Sequence, residues 1–339
     1  MNAGTAPFPT VLIGFGRIAQ GYASDPVMAQ QFAYSTHAQV LRDHPRFAWR
    51  AVIDPSEAAC QSAREDWPVP VAVGAADDLG DAASDIEVAV IATGPEARLD
   101  LLSHFPRLKA VIVEKPLGRT HAEAEAFVAQ CDSRGVIVTV NLWRRADRLF
   151  RALAAGQLRE LIGDPQSIAV HYGNGLVNNG THMVDFVRML FGEIAGFELL
   201  GRSRGYLEGP IPGDTNPLFA LELARGQTAT FSPLDFRLYR ENGLTAWGTT
   251  GRLDILAEGL AVAHFPVVSH RAMSGEKELA VDSPRFLEQA AGHAIYDLYD
   301  NLAHALDGME DVCSPASSAL ETAAWIDRIR EADLARSNA

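Results

Sequence analysis

Thr10-Val11-Leu12-Ile13-Gly14-Phe15-Gly16-Arg17-Ile18-Ala19 is the stretch on which the fold turns. A short apolar run ends in G-x-G-x-x-A. The first glycine permits a tight turn, and the second lets the backbone approach a pyrophosphate. Ala19 is small enough for close helix–strand packing. A helix beginning here would aim unpaired N–H groups and its positive dipole end at an anion. The stretch therefore predicts a strand, a phosphate-binding turn and a helix, with Gly14, Phe15, Gly16, Arg17 and Ile18 against a dinucleotide. Glycines also sit in plain turns, so the surrounding sequence has to decide.

Outward from this turn, Phe47–Ile53, Glu87–Ala92, Ala110–Val113 and Val136–Val140 are further apolar runs. Runs without polar alternation fit strands buried on both faces of a parallel sheet. Helical patterns lie between them, among them Thr120–Arg134, closed by Gly135. The alternation predicts right-handed βαβ units and a doubly wound Rossmann sheet. Asp54 ends the second run, where a carboxylate accepts ribose hydroxyls; its bland role is to cap the helix at 56–64. It stands 35 residues after Ala19, against roughly 20 in the usual fingerprint. An insertion around Ala23–Ala33, before a helix at about Ser35–Arg42, accounts for the excess. An acid here repels a 2′-phosphate, so NAD is expected over NADP, with NADP still possible.

After about residue 145 the pattern changes. A helix at Asp147–Gln157 precedes a strand at Gln166–Tyr172 and a helix at Thr181–Phe191. Short runs follow at Phe197–Gly201, Leu218–Leu223, Thr228–Phe231, Thr245–Trp247 and Leu253–Leu256, parted by turn formers such as Asn242-Gly243. They predict a mostly antiparallel, open-faced sheet. Helices are expected at Phe286–Leu306 and Pro315–Leu334. The division is thus α/β: a dinucleotide-binding Rossmann domain over 1–145 and an α+β substrate-binding and oligomerisation domain over 146–339. The last helices are candidates for packing back on the first domain.

The chain has 339 residues, 29 Lys+Arg against 43 Asp+Glu and a formal charge of −14. That balance argues against nucleic acid, whose phosphates need clustered cations, and against an anionic membrane surface. No apolar run approaches the ~18 residues of a membrane span. The N-terminus has neither basic start nor apolar core, so no secretion signal is expected and cytoplasm is the default. Cys60, Cys131 and Cys313 form no CxxC pair, which excludes zinc ribbons and disulfide scaffolds.

Two further clusters carry chemistry. Glu114-Lys115-Pro116 follows a buried strand, and doubly wound folds place ligands at such strand ends. In an arbitrary protein this lysine would be a surface turn residue. Asn178-Asn179-Gly180-Thr181-His182 opens a helix whose Met183, Phe186, Val187 and Leu190 make a core-facing stripe. His182 stands at the stripe's edge, one turn from Asp185; from spacing alone, a locally bonded histidine reads better than a catalytic one. A metal is not expected, since no third ligand is recognisable and open zinc sites need three.

Together GFGRIA at 14–19, STHAQVL at 35–41, IATGP at 91–95, VEKPLG at 113–118 and NNGTHMVDFVRMLFG at 178–192 resemble the glucose–fructose oxidoreductase/inositol dehydrogenase (Gfo/Idh/MocA) family. The resemblance covers nearly the whole chain. It implies a Rossmann domain joined to an open-faced sheet, and hydride transfer between a nicotinamide cofactor and a carbon of a sugar, cyclitol or nucleotide-sugar. It places Thr93, Gly94, Pro95, Glu114 and Lys115 beside the cofactor, and Lys115 and His182 in catalysis. It gives Asn178, Asp185 and Arg145 to the substrate, and implies a homodimer or homotetramer.

The sequence departs from the family twice. Asn178 stands where the family has an aspartate, and Arg98 where many members have histidine. An amide cannot exchange a proton, though it can orient a hydroxyl. The Asn178 change keeps open a dinucleotide-bound sensor of the same fold. For an enzyme, a free lysine titrates near ~10.4 and a useful base nearer ~7–8, a gap of roughly 4 kcal/mol at ~1.36 per unit. His182 needs no such shift. The expectation is His182 as acid/base and Lys115 as the group polarising the substrate oxygen.

Overall fold

The computed structural model describes residues 6–96, 98–201, 211–288 and 291–337. They fall into two units: 1–147 with 292–320, and 148–291 with 321–339. The second unit is discontinuous in sequence, because the helix Ala294–Leu306 packs within the first.

In the first unit six strands run in the order β3-β2-β1-β4-β5-β6. They are β1 Phe8–Ile13, β2 Phe47–Ile53, β3 Val71–Val73, β4 Val88–Ile91, β5 Ala110–Val113 and β6 Ile137–Val140. Every pairing is parallel. Alternate residues feed two cores. Leu12, Val52, Val90 and Ile112 pack with Leu298 and Leu302 on one face. Val11, Ile53, Ile91 and Val113 pack with Phe105, Phe127 and Cys131 on the other. Burial on both faces is why β4 and β5 read as unbroken apolar runs; β2 interrupts its own with an exposed Arg50.

The helix expected directly after the glycine turn is interrupted. A single turn forms, with the amide of Gln20 bonding Gly16 O. Residues 21–36 then leave the helix line and contain the short helices Gly21–Ser24 and Met28–Gln31. The helix His37–Asp43 resumes, capped by the Thr36 and Gln39 side chains. Its first amides, His37 and Ala38, donate to Ile18 O and Ala19 O. The second piece thus continues the first as one helix would, with residues 21–36 looped out between. That detour explains the long spacing to Asp54.

In the second unit the strands run β14-β13-β12-β11-β7-β10-β9-β8, with β15 beside β13. They are β7 Pro165–Tyr172, β8 Ile194–Leu199, β9 Phe219–Leu223, β10 Thr228–Pro233, β11 Gly243–Gly248, β12 Gly251–Leu256, β13 Ala261–Ser269, β14 Lys277–Leu279 and β15 Arg285–Phe286. Among the described residues only β10 and β7 pair in parallel. Ile168, Val170, Phe219, Leu221, Phe231, Leu244 and Leu253 bury one face. The other carries Ser167, His171, Glu222, Thr230, Thr245, Trp247 and Arg252, so the open face is mixed rather than apolar.

Three helical expectations need correction. The helix at 147–157 is Arg148–Ala152, widening into a π turn, Leu153–Gln157, with Gly156 at φ +137°. The helix expected from Phe286 begins at Ala294, and Phe286 belongs to β15; residues 289 and 290 lie outside the described residues. The last helix is Ala316–Ser337. Among the described residues no helix is long and apolar enough to cross a membrane.

Candidate active site

The parallel register brings five strand ends level. Ile13 pairs with Ile53 and Ile91, Ile91 with Val113, and Val113 with Val140. One residue further on, the amides of Gly14, Ala92, Glu114 and Asn141 donate to Ile53 O, Ile13 O, Ile91 O and Val113 O. Gly14, Asp54, Thr93, Glu114-Lys115 and Asn141 therefore share the C-terminal edge of one sheet. The strand order reverses between β1 and β4, which is where doubly wound sheets hold their ligands.

Gly14 has φ +86°, and a Cβ there would stand 2.6 Å from Thr93 Cγ2; only glycine fits. Gly16 is exposed and has no atom within 4 Å of its Cβ position, leaving the backbone open to a ligand. Asp54 ties the turn down: its Oδ2 accepts the Phe15 N–H at 2.7 Å and its Oδ1 the Ser56 N–H at 2.9 Å. Each oxygen keeps a second lone pair for a hydroxyl. Ser56 itself caps the helix Glu57–Asp66, so Asp54 serves the helix start as well as the turn.

A dinucleotide fits this edge. Among the described residues no acceptor takes the amides of Gly16, Arg17 or Ile18, as at a helix N-terminus. Thr93 Oγ1 and Asn141 Oδ1 are buried without a protein partner. Gly94 is exposed and Pro95 half-buried.

Glu114 is held in turn. Its Oε1 accepts Asn141 Nδ2 at 2.5 Å and His37 Nε2 at 3.0 Å. A carboxylate accepts only, so Nε2 carries the imidazole proton and Nδ1 accepts the Tyr299 hydroxyl at 2.8 Å. Burial raises the Tyr299 pKa well above its ordinary value, which keeps it a donor. Lys115 follows, half-buried, before a cis Pro116. His37 belongs to the STHAQVL segment, but nothing in a separation of 77 residues announces its bond to Glu114.

Arg98, noticed in the sequence only as a departure, is 2% exposed. Its guanidinium donates to four backbone carbonyls: Thr93 O at 2.7 Å, Glu114 O at 3.0 Å, Pro116 O at 2.6 Å and Leu117 O at 3.0 Å. Burial lowers its pKa to about 10, with Glu114 and Glu96 opposing, so it is charged at neutral pH.

In the second unit, Leu176–Gly180 forms a π turn that runs straight into the helix Thr181–Phe191. Such turns are frequent at functional sites. Asn178 and His182 lie on this one segment, both half-buried. A loop at 214–216, missed in sequence, fixes its start. Asp214, 3% exposed, accepts the Val177 N–H at 3.0 Å and the Asn178 N–H at 3.1 Å. Burial raises its carboxyl pKa, and those amides pull it back. Asn216 Oδ1 takes the Gly175 N–H at 2.9 Å, and Thr215 O the Leu176 N–H.

Asp185 does not fit the substrate contact expected of it. It is 2% exposed, and its Oδ1 accepts the Thr322 hydroxyl, which also receives Arg188 at 2.6 Å. It packs the helix against the one bearing Thr322. Arg145, in the first unit, is half-buried in the turn Trp143–Arg145. Its neighbour Arg144 is buried and stacks 4.4 Å from the Trp143 ring. Among the described residues no cluster of His, Cys, Asp and Glu suits a metal.

Residues 8–142 match the Gfo/Idh/MocA family described as "Oxidoreductase family, NAD-binding Rossmann fold". The rabbit (Oryctolagus cuniculus) trans-1,2-dihydrobenzene-1,2-diol dehydrogenase is 33% identical over 141 residues, covering 37% of this chain and 43% of that enzyme. The match thus spans less than half of the relative's length. The WlbA dehydrogenase of Bordetella pertussis, solved with NADH and UDP-GlcNAcA, has TM-score 0.72 at 16% identity, over 98% of this chain and 97% of that one. An oxidoreductase of Agrobacterium radiobacter, solved with NAD+, L-tartaric acid and magnesium, has TM-score 0.69 at 16% identity, over 95% of each chain. These likenesses extend the shared fold across both units.

Proposed function

We infer, from residues 8–142 belonging to the Gfo/Idh/MocA oxidoreductase family, that this chain is a nicotinamide-dependent dehydrogenase acting on a CH–OH carbon. The observation carrying this reading is the shared strand edge of Gly14, Asp54, Thr93 and Glu114-Lys115, with the open backbone at Gly16 between them.

When bound, the nicotinamide supplies the acceptor or donor of hydride. The chain supplies the rest. The amides of 16–18 hold the pyrophosphate, and Asp54 accepts the ribose hydroxyls and disfavours a 2′-phosphate, so NAD is the preferred cofactor. His182 takes the hydroxyl proton as the alcohol is oxidised and returns it in the reverse direction. Lys115 donates to a substrate oxygen and stabilises negative charge developing there. Asn178 orients a substrate hydroxyl, and Arg145 meets an anionic substituent.

The substrate is a sugar, cyclitol or nucleotide-sugar with vicinal oxygen functions. The names of the relatives support this: a 1,2-diol, tartaric acid and a UDP-sugar share that chemistry. A homodimer or homotetramer through the open sheet face fits its mix of Trp247 with polar side chains. The deciding experiment is a dehydrogenase screen with NAD and NADP against sugars, cyclitols, dihydrodiols and nucleotide-sugars. Substrate-dependent cofactor reduction is expected. Cofactor binding without turnover on any class would favour the sensor that Asn178 keeps open.

A further inference from the structure

Two loops leave the C-terminal edge of the first sheet side by side: Ala92–Pro95 after β4, and Glu114–Leu117 after β5. Both turn backbone carbonyls toward the buried Arg98 side chain, in part-buried surroundings for Thr93, Glu114 and Pro116 and in buried ones for Leu117. A buried carbonyl without a donor is costly, and the two loops have no ladder of their own to satisfy it. One side chain does so for both.

We propose that Arg98 is a positioning residue for the reaction: its guanidinium locks the Thr93 loop to the Glu-Lys-Pro loop and so sets where Lys115 stands relative to the bound dinucleotide. The inference rests on the dehydrogenase reading. Arg98 is not a catalytic residue, because the four N–H groups of its two terminal nitrogens go to the Thr93, Glu114, Pro116 and Leu117 carbonyls and its Nε is buried. Those four carbonyls bracket Lys115 on both sides and reach across to the loop that crowds Gly14.

The geometry needs arginine specifically. The guanidinium is a rigid planar fork with donors on separate nitrogens. NH1 serves Pro116 and Leu117, while NH2 serves Thr93 and Glu114. One nitrogen thus holds the far side of the Glu-Lys-Pro loop, and the other joins its near side to the neighbouring strand end. A lysine ammonium is a compact point with three donors. It can reach one carbonyl group of this set but cannot span the two loops.

The His37–Glu114–Asn141 chain holds the Glu114 side chain, whereas Arg98 holds the backbone on either side of Lys115. The two devices are separate, so removing the guanidinium leaves the Glu114 side chain anchored while the lysine's backbone is released. A displacement of about 1 Å at a reacting group costs on the order of 10²-fold in rate.

The test compares the wild type with Arg98→Lys and Arg98→Ala, reading kcat, KM for dinucleotide and substrate, and unfolding midpoint. Arg98→Lys is expected to fold, with kcat down about 10²-fold and a smaller rise in dinucleotide KM. In Arg98→Ala, millimolar guanidinium is expected to restore part of kcat, while the same salt leaves Lys115→Ala inactive. A merely structural arginine would lower the midpoint without that selective rescue. Wild-type kcat in Arg98→Lys would overturn the inference. So would failure of Arg98→Lys to fold, since the side chain would then support the domain rather than the loops. Loss of rescue in Arg98→Ala would count the same way. If the wild type neither binds dinucleotide nor turns over, it is the dehydrogenase reading that fails, before any variant is compared.

Discussion

The two regions that carry the candidate chemistry are held in place by buried charges of opposite sign. At the edge of the first sheet, loops leaving parallel strands turn in carbonyls, and the cation Arg98 gathers four of them. At the start of the His182 helix, the unpaired groups are amides, and the anion Asp214 gathers two. The sign of the buried charge follows which backbone groups the local structure leaves over. The first region is set by strand register, the second by a cap reaching in from a loop some forty residues on. Each predicts its own failure when altered.

The largest effect is expected from His182→Ala. It should lower kcat by about 10²–10⁴, the usual worth of a general acid–base, while the dinucleotide Kd stays as in the wild type. Steady-state kinetics across pH, with a separate binding titration, checks both halves. Near-normal kcat with the same pH profile would remove His182 from the chemistry and leave Lys115 as the base.

Asp214→Ala strips the cap from the start of the His182 helix. Losing the bonds to the Val177 and Asn178 amides should cost about 1–3 kcal/mol and lower kcat, again with dinucleotide Kd unchanged. Denaturant unfolding measures the first and titration the second. A weakened dinucleotide Kd would mean the two regions are not independent.

Acid separates them differently. Burial pushes the His44 imidazole down to about 4, with Asp300 opposing and Arg46 and His304 adding to the shift. The unfolded chain, titrating near ~6.5, takes the proton first. This contribution to stability is therefore complete above about 6.5 and is lost as pH falls toward about 4. Burial raises the Asp214 carboxyl, so its folded form holds a proton more readily than the unfolded chain, and its contribution declines as pH rises rather than as it falls. Melting temperature against pH should show an acid limb that His44→Gln flattens and Asp214→Asn does not. An unchanged limb in His44→Gln would place the acid sensitivity elsewhere.

Asn178→Asp is the mildest change. The site already faces a position where the family carries a carboxylate, so the fold should persist, and kcat should rise by no more than about tenfold, roughly 1.4 kcal/mol in the barrier. An abolished kcat would show that this active site is built around the amide.

Much of the first unit was legible because β1, β2, β4, β5 and β6 are buried on both faces and announce themselves as apolar runs. The place of Gly14, Asp54 and Lys115 just beyond strand ends was legible because the apolar runs before them mark where the strands stop. What could not be read was whatever depends on distant pairing. The looped-out residues 21–36 keep the helix only through the carbonyls of Ile18 and Ala19. Strand β13, the longest of its sheet, contains His264 and Pro266, and a proline inside a run argues against a strand. The return of Ala294–Leu306 to the first unit follows from its apolar stripe meeting Leu12 and Val52, not from any local signal. Asp185 shows the same limit: its spacing from His182 says nothing of the Thr322 hydroxyl it accepts or of Arg188 beside it.

The central claim is that the first unit binds NAD through the glycine turn and Asp54. Fluorescence titration of the whole chain with NADH and with NADPH tests it most directly. Saturable NADH binding, tighter than NADPH by about tenfold or more (~1.4 kcal/mol per decade), is the expected result. Binding of neither cofactor, or tighter binding of NADPH, would contradict it.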